Sequence, residues 1–327
     1  VSTIAIVGAG LAGLVAARGL ASRHEVTLFE KSRGVGGRMA TRYADGFEFD
    51  HGAQFFVART PAFKSFLQPL IKDGAVASWS ARFAELERDR IVATRQWSDD
   101  NPHYVGVPRM NAIGKCLAEG LNIRLQTRVA QLERRNRGWL LVGDEGKELG
   151  LFDWVVITAP AEQTMRLLPE ASLIREFCVA ARMRACFALM LGFGQPSALP
   201  WQAALVRDAD ISWISVNSSK PGRASPQSLV VHSTNAWADA RIDDDIEAVR
   251  SHMLSECSRV TGLDVARASH CSLHRWRYAN ADSIKGSDFA VDDGMRLAAC
   301  GDWFVQGRVE AAFTSAHALV GRLATAL

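Results

Sequence analysis

The chain contains no Cys-x-x-Cys pair, although it has six cysteines among its 327 residues. None of Cys116, Cys178, Cys186, Cys257, Cys271 and Cys300 stands at metal-ligand spacing from a histidine. The composition therefore offers neither a zinc centre nor a redox dithiol, and the thiols read as buried and free, as in a cytosolic protein. No apolar run reaches the roughly 18–20 residues of a membrane span, so a transmembrane helix is not expected. A fold strand begins within the first few residues, so a cleaved leader is not expected either. Charge of one sign is also lacking. The 38 basic and 35 acidic residues give a net +3, too balanced to argue for nucleic acid. Internal repeats and low-complexity tracts are absent. A cytoplasmic globular protein without a metal is the resulting expectation.

What is present starts at once. Residues 4–7 form a short apolar strand that runs into Gly8-Ala9-Gly10-Leu11-Ala12-Gly13. A helix follows, with apolar positions Leu11, Leu14, Val15 and Leu20, and a second strand, 26–29, ends on Glu30. In such a strand–turn–helix–strand–acid unit, Gly8 permits the tight turn and Gly10 admits a pyrophosphate close to the backbone. Gly13 lets helix and strand pack closely. The free N–H groups at Leu11 and Ala12 and the positive end of the helix face the phosphates. Glu30 is placed to accept hydrogen bonds from ribose hydroxyls. A bound dinucleotide is expected.

Lys31-Ser32-Arg33-Gly34-Val35-Gly36-Gly37-Arg38-Met39 then replaces the helix with which an NAD-only domain usually continues. Its glycines demand an irregular loop with close backbone approach, and Arg38 supplies a fork-shaped cation for a pyrophosphate. This run resembles the second glycine motif of FAD-dependent amine oxidases and their relatives. Residues 46–54 also have their look, and the resemblance places Gln54 and Phe55 by the flavin. Near the C-terminus, Gly301-Asp302 and Gly307-Arg308-Val309-Glu310 match the spacing of the closing FAD motif of that superfamily. There the Gly-Asp pair binds ribityl or pyrophosphate and a helix, here 309–326, begins under the ring. Val129 stands where relatives contact adenine through backbone groups. The cofactor expected is non-covalent FAD, since no cysteine or histidine sits in an attachment motif.

The expected fold is α/β: a Rossmann-type FAD-binding domain of the glutathione-reductase and amine-oxidase type, with a discontinuous antiparallel-sheet substrate domain. The first is assigned to 1–54, 108–160 and 276–327, the second to 55–107 and 161–275. Residues 129–152 read as a three-stranded meander with turns at 136–138 and 144–146. A helix at about 243–261 begins in the acid-rich run Asp243-Asp244-Asp245.

Across nearly its whole length the chain resembles bacterial renalases. The resemblance rests on residues 31–39, on Asp50 with Gly52-Ala53-Gln54-Phe55-Phe56, and on Val105-Gly106 with Pro108 and Met110. It also rests on Ser219-Lys220-Pro221, on His274-Arg275-Trp276 with Tyr278, and on Cys300-Gly301-Asp302-Trp303 with residues 307–310. It implies an oxidase for isomers of NAD(P)H reduced at the 2- or 6-position. Hydride passes to flavin N5, oxygen reoxidises the flavin, and NAD(P)+ and hydrogen peroxide leave. The implied partners are a dihydro-nicotinamide dinucleotide and O2. The sequence departs from the relatives at Arg109, Phe55, His51, Gln306 and Ala311, near the flavin and pocket mouth, which bears on the substrate rather than the cofactor.

His232, on an apolar strand, is a candidate substrate contact, as is Arg59 for a phosphate or carboxylate. Tyr278 and His274 share a strand face with Trp276 and are candidates for the pocket. Trp213, Trp237 and Trp276 are candidates for an aromatic wall, with core packing as the alternative. Lys220 is expected at the surface, with no counterpart to the flavin-proximal lysine common in amine oxidases. A flavin amine oxidase or desaturase acting on a small metabolite, and a non-catalytic flavoprotein that binds a partner, remain as alternatives.

Overall fold

The computed structural model describes residues 1–223, 226–282 and 286–325. They form two compact units. The first comprises Val1–Arg38, Gly114–Met183 and Asn280–Leu327, the second Met39–Ile113 and Arg184–Ala279.

The first unit is built on a six-stranded sheet. Its spatial order is Phe289–Asp292, Leu297–Cys300, Trp154–Ile157, Thr3–Val7, Glu25–Phe29, Asn122–Arg124. Every neighbouring pair is parallel except the first, Phe289–Asp292 with Leu297–Cys300. Strands buried on both faces read as unbroken apolar runs. Ile4, Ala5 and Ile6 accordingly have no exposed surface, nor do Val155, Val156 and Ile157. The helices Leu11–Leu20 and Val309–Leu323 meet at Gly19, where an added Cβ would lie 2.6 Å from Val320. The expected meander is present as Val129–Arg135, Gly138–Gly143 and Glu148–Phe152. The C-terminal helix ends at Leu323, and residue 326 of the expected span lies outside the described residues.

The second unit carries a seven-stranded sheet. Its order is His270–Ala281, Met183–Phe193, Gln227–Ser233, Ile211–Val216, Ala203–Arg207, Arg82–Glu87, Arg90–Gln96. The hairpins are antiparallel, but Ala203–Arg207 runs parallel to Arg82–Glu87. A parallel join needs a crossover, and the chain returns to this unit only after passing through the first. The helix Ile246–Thr261 starts where the acidic run predicts. Asp245 caps it, accepting from the N–H groups of Glu247 and Ala248. Its Val249, Met253, Cys257 and Val260 are buried with Phe187, Leu189 and Leu191 of the sheet.

The compact units divide the chain at other points than those assigned from sequence. Residues 39–54 cluster with the second unit, because Phe47 and Phe49 are buried with Met190 and Val230 of its sheet. Residues 161–183 cluster with the first, where Ala161, Leu168, Ile174 and Cys178 join the core. Among the described residues no helix is long and apolar enough to cross a membrane.

The close approach at the first glycine turn separates two substitutions. A Cβ at Gly13 would stand 1.9 Å from the Gly8 carbonyl oxygen, whereas one at Gly10 meets nothing within 4 Å. Gly13→Ala is expected to destabilise the protein by about 1–3 kcal/mol or more, and Gly10→Ala to stay within about 1 kcal/mol. Urea unfolding of both variants checks this.

Candidate cofactor and active site

In the first unit the turn after Thr3–Val7 is closed by backbone and hydroxyl bonds. Gly8 has φ 109°, a region that favours glycine. Its N–H donates to Phe29 O at 2.8 Å. Thr158 Oγ1 lies 3.1 Å from Val7 O and 3.0 Å from Gly8 O, which ties the exit of the Trp154–Ile157 strand to the same turn. Gly10 is the helix N-cap and has no side-chain cap, so the N–H groups of Leu11, Ala12 and Gly13 begin the helix without intrahelical partners. The space beside Gly10 is clear, and an approaching anion meets N–H donors and the positive end of the helix.

Glu30 is buried, and each of its oxygens holds one backbone N–H, Ala9 at 2.9 Å and Ser32 at 2.8 Å. One lone pair on each oxygen stays available to a ribose hydroxyl. Lys31 beside it is exposed. Gly36 N donates to Ala9 O at 2.8 Å, and Gly37, at φ 55°, leaves only 3.2 Å between a would-be Cβ and Gly10 Cα. The second glycine run therefore lies directly against the first.

Arg38 makes a two-armed pair with Asp302, at 2.8 and 2.5 Å; Asp302 is buried and the arginine partly exposed. Although the two residues are 264 positions apart in the chain, their pairing brings the second glycine motif and the closing motif together. Gly301 N donates to Ser315 Oγ at 2.8 Å, and Ser315 Oγ to Asp288 O at 2.5 Å, which fixes the turn before the C-terminal helix. Arg308 is the N-cap of that helix, without a side-chain cap, and Val309 and Glu310 form its first turn. Val129 is buried at the head of its strand. The donors, the glycine approach and the paired Arg38–Asp302 fit a dinucleotide.

In the second unit a polar network is sealed inside. Asp50 has no exposed surface. Its Oδ2 accepts from Arg223 Nη2 at 2.5 Å and Lys220 Nζ at 3.3 Å, its Oδ1 from Thr41 Oγ1 at 2.7 Å and Met110 N at 3.1 Å. Burial works against the charge on Asp50, but Lys220 and Arg223 outweigh it and hold the carboxyl at about 2. Lys220 is pushed down to about 8 by burial, against the pull of Asp50. Its ammonium also donates to Asn217 Oδ1 at 2.9 Å and Gln54 Oε1 at 3.2 Å.

Beside this network three histidines gather. His51 stacks on Trp276 at 5.1 Å and meets His274 edge-on at 4.8 Å, and His232 Nε2 lies 3.2 Å from His51 O. Burial lowers His51 to about 3 and His232 and His274 to about 4, so all three are neutral at pH 7.

Residues 6–70 match the model of an NAD(P)-binding Rossmann-like domain, and residues 76–292, about two thirds of the chain, match that of the flavin-containing amine oxidoreductases. The chain belongs to the flavin-containing amine oxidoreductase family. Membership implies a flavin cofactor and a small-molecule substrate. A 4,4'-diapophytoene desaturase of Staphylococcus aureus is 58% identical over 50 residues, which cover 15% of this chain and only 10% of that enzyme. Among solved structures, a provisionally assigned protoporphyrinogen oxidase from Exiguobacterium sp. 255-15 shares 14% identity at TM-score 0.78, over 100% of this chain and 99% of that one. A putrescine oxidase bound to putrescine shares 13% identity at TM-score 0.75, over 99% of each chain. At these identities the likeness is one of fold.

Within this family member the sequence candidates fall into several places. Gln54 and His232 adjoin the buried network, with Nε2 atoms 3.5 Å apart. Phe55 stands elsewhere, in an aromatic cluster with Trp97, His103 and Trp213. Arg59 is exposed just before the helix Pro61–Lys72, and Tyr278 is half-buried on the His270–Ala281 strand. The three tryptophans do not form one wall: Trp276 lies with the histidines, Trp213 with Phe55, and Trp237 between Phe187 and His252.

Lys220 corrects the expectation of a surface residue. Its side chain has no exposed surface, and its three N–H bonds have three acceptors, so the cation is satisfied inside. A lysine between Ser219 and Pro221 reads locally as a solvated turn; only the return of Asp50 from far along the chain makes burial possible. Arg223, Asn217 and Thr158 carry no local signal either, because cationic, amide and hydroxyl side chains in turns and loops show no periodicity, and Ser315, inside the Val309–Leu323 helix, reads as an ordinary helical serine. Burial pushes the Cys178, Cys186, Cys257 and Cys300 thiols up to about 12, Cys116 and Cys271 are only partly buried, and no disulfide occurs among the described residues. No group of metal-ligating side chains occurs among the described residues.

Removing the charge of Asp50 leaves Lys220 and Arg223 buried against each other. Asp50→Asn is expected to cost about 3–5 kcal/mol, read by urea unfolding at neutral pH. The carboxyl is depressed in the folded state, so its contribution is complete above its ordinary range. It is lost as pH falls from near 4 towards 2, which an acid titration of stability in the wild-type protein checks.

Proposed function

We propose that the protein is an FAD-dependent oxidase of dihydro-NAD(P) isomers, with the flavin held non-covalently. When bound, FAD would supply the two-electron acceptor for a hydride from the 2- or 6-position of the dihydropyridine; with O2 as final oxidant and one proton from solvent, the products would be NAD(P)+ and H2O2. The residues suited to holding the cofactor are Gly10, Leu11, Ala12 and Gly13 at the pyrophosphate and Glu30 at the ribose. Gly37, Arg38, Val129, Gly301, Asp302 and the Arg308–Glu310 turn complete the set.

The observation that carries the substrate class is the state of the titratable groups in the second unit. The imidazoles of His51, His232 and His274, held at about 3 to 4, are weak bases. The buried carboxylate of Asp50 is fully engaged by Lys220 and Arg223. An alkylamine arrives as an ammonium ion and must give up a proton before oxidation. A dihydropyridine needs no deprotonation, because it becomes aromatic on losing hydride. Catalysis of that reaction is chiefly orientation, which neutral hydrogen-bonding rings provide. His232, Arg59 and Tyr278 are the side chains we assign to substrate contact.

Anaerobic mixing with 2- and 6-dihydro-NAD(P), NADH and a panel of amines tests the proposal through the oxidised-flavin band. Fast bleaching by an isomeric dihydropyridine, reversed by oxygen with release of peroxide, is expected. Bleaching by an amine but not by these isomers overturns it. Arg38→Met is expected to weaken FAD retention at least tenfold, since it removes the charged partner that holds buried Asp302 in the closing motif, and a charged hydrogen bond contributes on the order of 1.5–3 kcal/mol; flavin released on dilution measures it.

A further inference from the structure

The amide of Gln54 can stand only one way round. Its Oε1 accepts from Ser215 Oγ at 2.7 Å and from the Lys220 ammonium, which has no acceptor capacity. Its Nε2 donates to two carbonyls, Asp50 O at 2.5 Å and Gly52 O at 2.9 Å. Both amide hydrogens are therefore occupied, and none remains for His232 Nε2, 3.5 Å away.

The other neighbour of His232 Nε2 is the His51 carbonyl oxygen, at 3.2 Å, which can only accept. That carbonyl also takes the Trp276 indole N–H at 2.9 Å, so its direction is fixed from a second side. A neutral imidazole has a single N–H. Placing it on Nδ1 would set a lone pair on Nε2 against the carbonyl oxygen. Placing it on Nε2 makes the hydrogen bond. Nδ1 then carries the lone pair, on a half-buried ring, and makes no hydrogen bond among the described residues.

We infer that His232 is held as the Nε2–H tautomer and offers Nδ1 as an acceptor, making it the specificity-determining residue that selects a substrate bearing an N–H donor. Resting on the function proposed above, that donor is the carboxamide NH2 of the nicotinamide ring. A ring bearing a carboxylate in its place brings oxygen lone pairs to the same atom and is rejected. The same reasoning makes Gln54, and Lys220 behind it, positioning residues.

Two measurements on the flavin-loaded protein test this. The 15N and 13C shifts of His232 in the ligand-free enzyme read the tautomer directly. Nε2–H is expected, and Nδ1–H or a charged ring overturns the inference whatever the substrate is. Binding of NAD+ is then compared with that of its nicotinic acid analogue. Wild type is expected to favour the amide about tenfold, the size of one hydrogen bond made or refused. His232→Leu is expected to bring the ratio near one by weakening the amide. His232→Asn, whose side chain can turn either its oxygen or its NH2 outward, is expected to bind both forms. A wild-type ratio near one, or a ratio unchanged in His232→Leu, overturns the selection. Failure of wild type to bind either dinucleotide overturns the dinucleotide function itself, while the tautomer stands or falls on the shifts.

Discussion

The second unit depends on one buried charge. Asp50 is an ionised carboxylate without solvent, and four groups on three separate segments satisfy it: Thr41, Met110, and Lys220 with Arg223. A charge taken out of water is costly unless it is paired and hydrogen-bonded, so these segments are held to one arrangement. The consequences run outward. Lys220, recruited by Asp50 and Asn217, fixes the amide of Gln54. The residues that follow Asp50 turn back so that the His51 carbonyl meets both His232 and Trp276. A constraint on charge thus becomes a constraint on which nitrogen of an imidazole carries its proton.

The first unit rests on contacts of a different kind. Its cradle is mostly backbone: the Gly8–Gly13 approach, the Gly36 and Gly37 loop laid against Ala9 and Gly10, and the N–H groups without intrahelical partners at the start of Leu11–Leu20. Side chains enter at two points, Glu30 and the Arg38–Asp302 pair, and both hold loops while presenting polar atoms to a ligand. This division explains the tolerance expected at Gly10 and refused at Gly13. One glycine leaves room for a ligand, the other for the protein itself.

The first unit was largely legible in the sequence because its signals are local or repeat an established spacing. An apolar strand, three glycines and an acid at the end of the next strand fall within 30 residues, and the closing Gly301-Asp302 motif has its own spacing. The division of the chain was less legible. Residues 39–54 look like a continuation of the glycine motif, yet Phe47 and Phe49 bury themselves on the sheet of the second unit. The polar network was the least visible part. Lys220, Asn217 and Arg223 occupy a loop rich in serine and proline, and nothing in that stretch announces a buried carboxylate 170 residues away. His232 was visible as a histidine in an apolar strand, but its tautomer is a property of Gln54 and His51 and has no local signature.

The central claim is that the first unit holds a flavin dinucleotide through its pyrophosphate and ribose. Titration of the flavin-stripped protein with FAD and with FMN tests it most directly, because FMN carries the same ring but lacks the adenosine half that Glu30 and the Leu11–Leu20 helix would engage. The account predicts tight, reversible binding of FAD and binding of FMN weaker by at least two orders of magnitude, about 3 kcal/mol or more. Equal affinity for the two flavins, or a flavin that cannot be stripped because it is covalently attached, would contradict it.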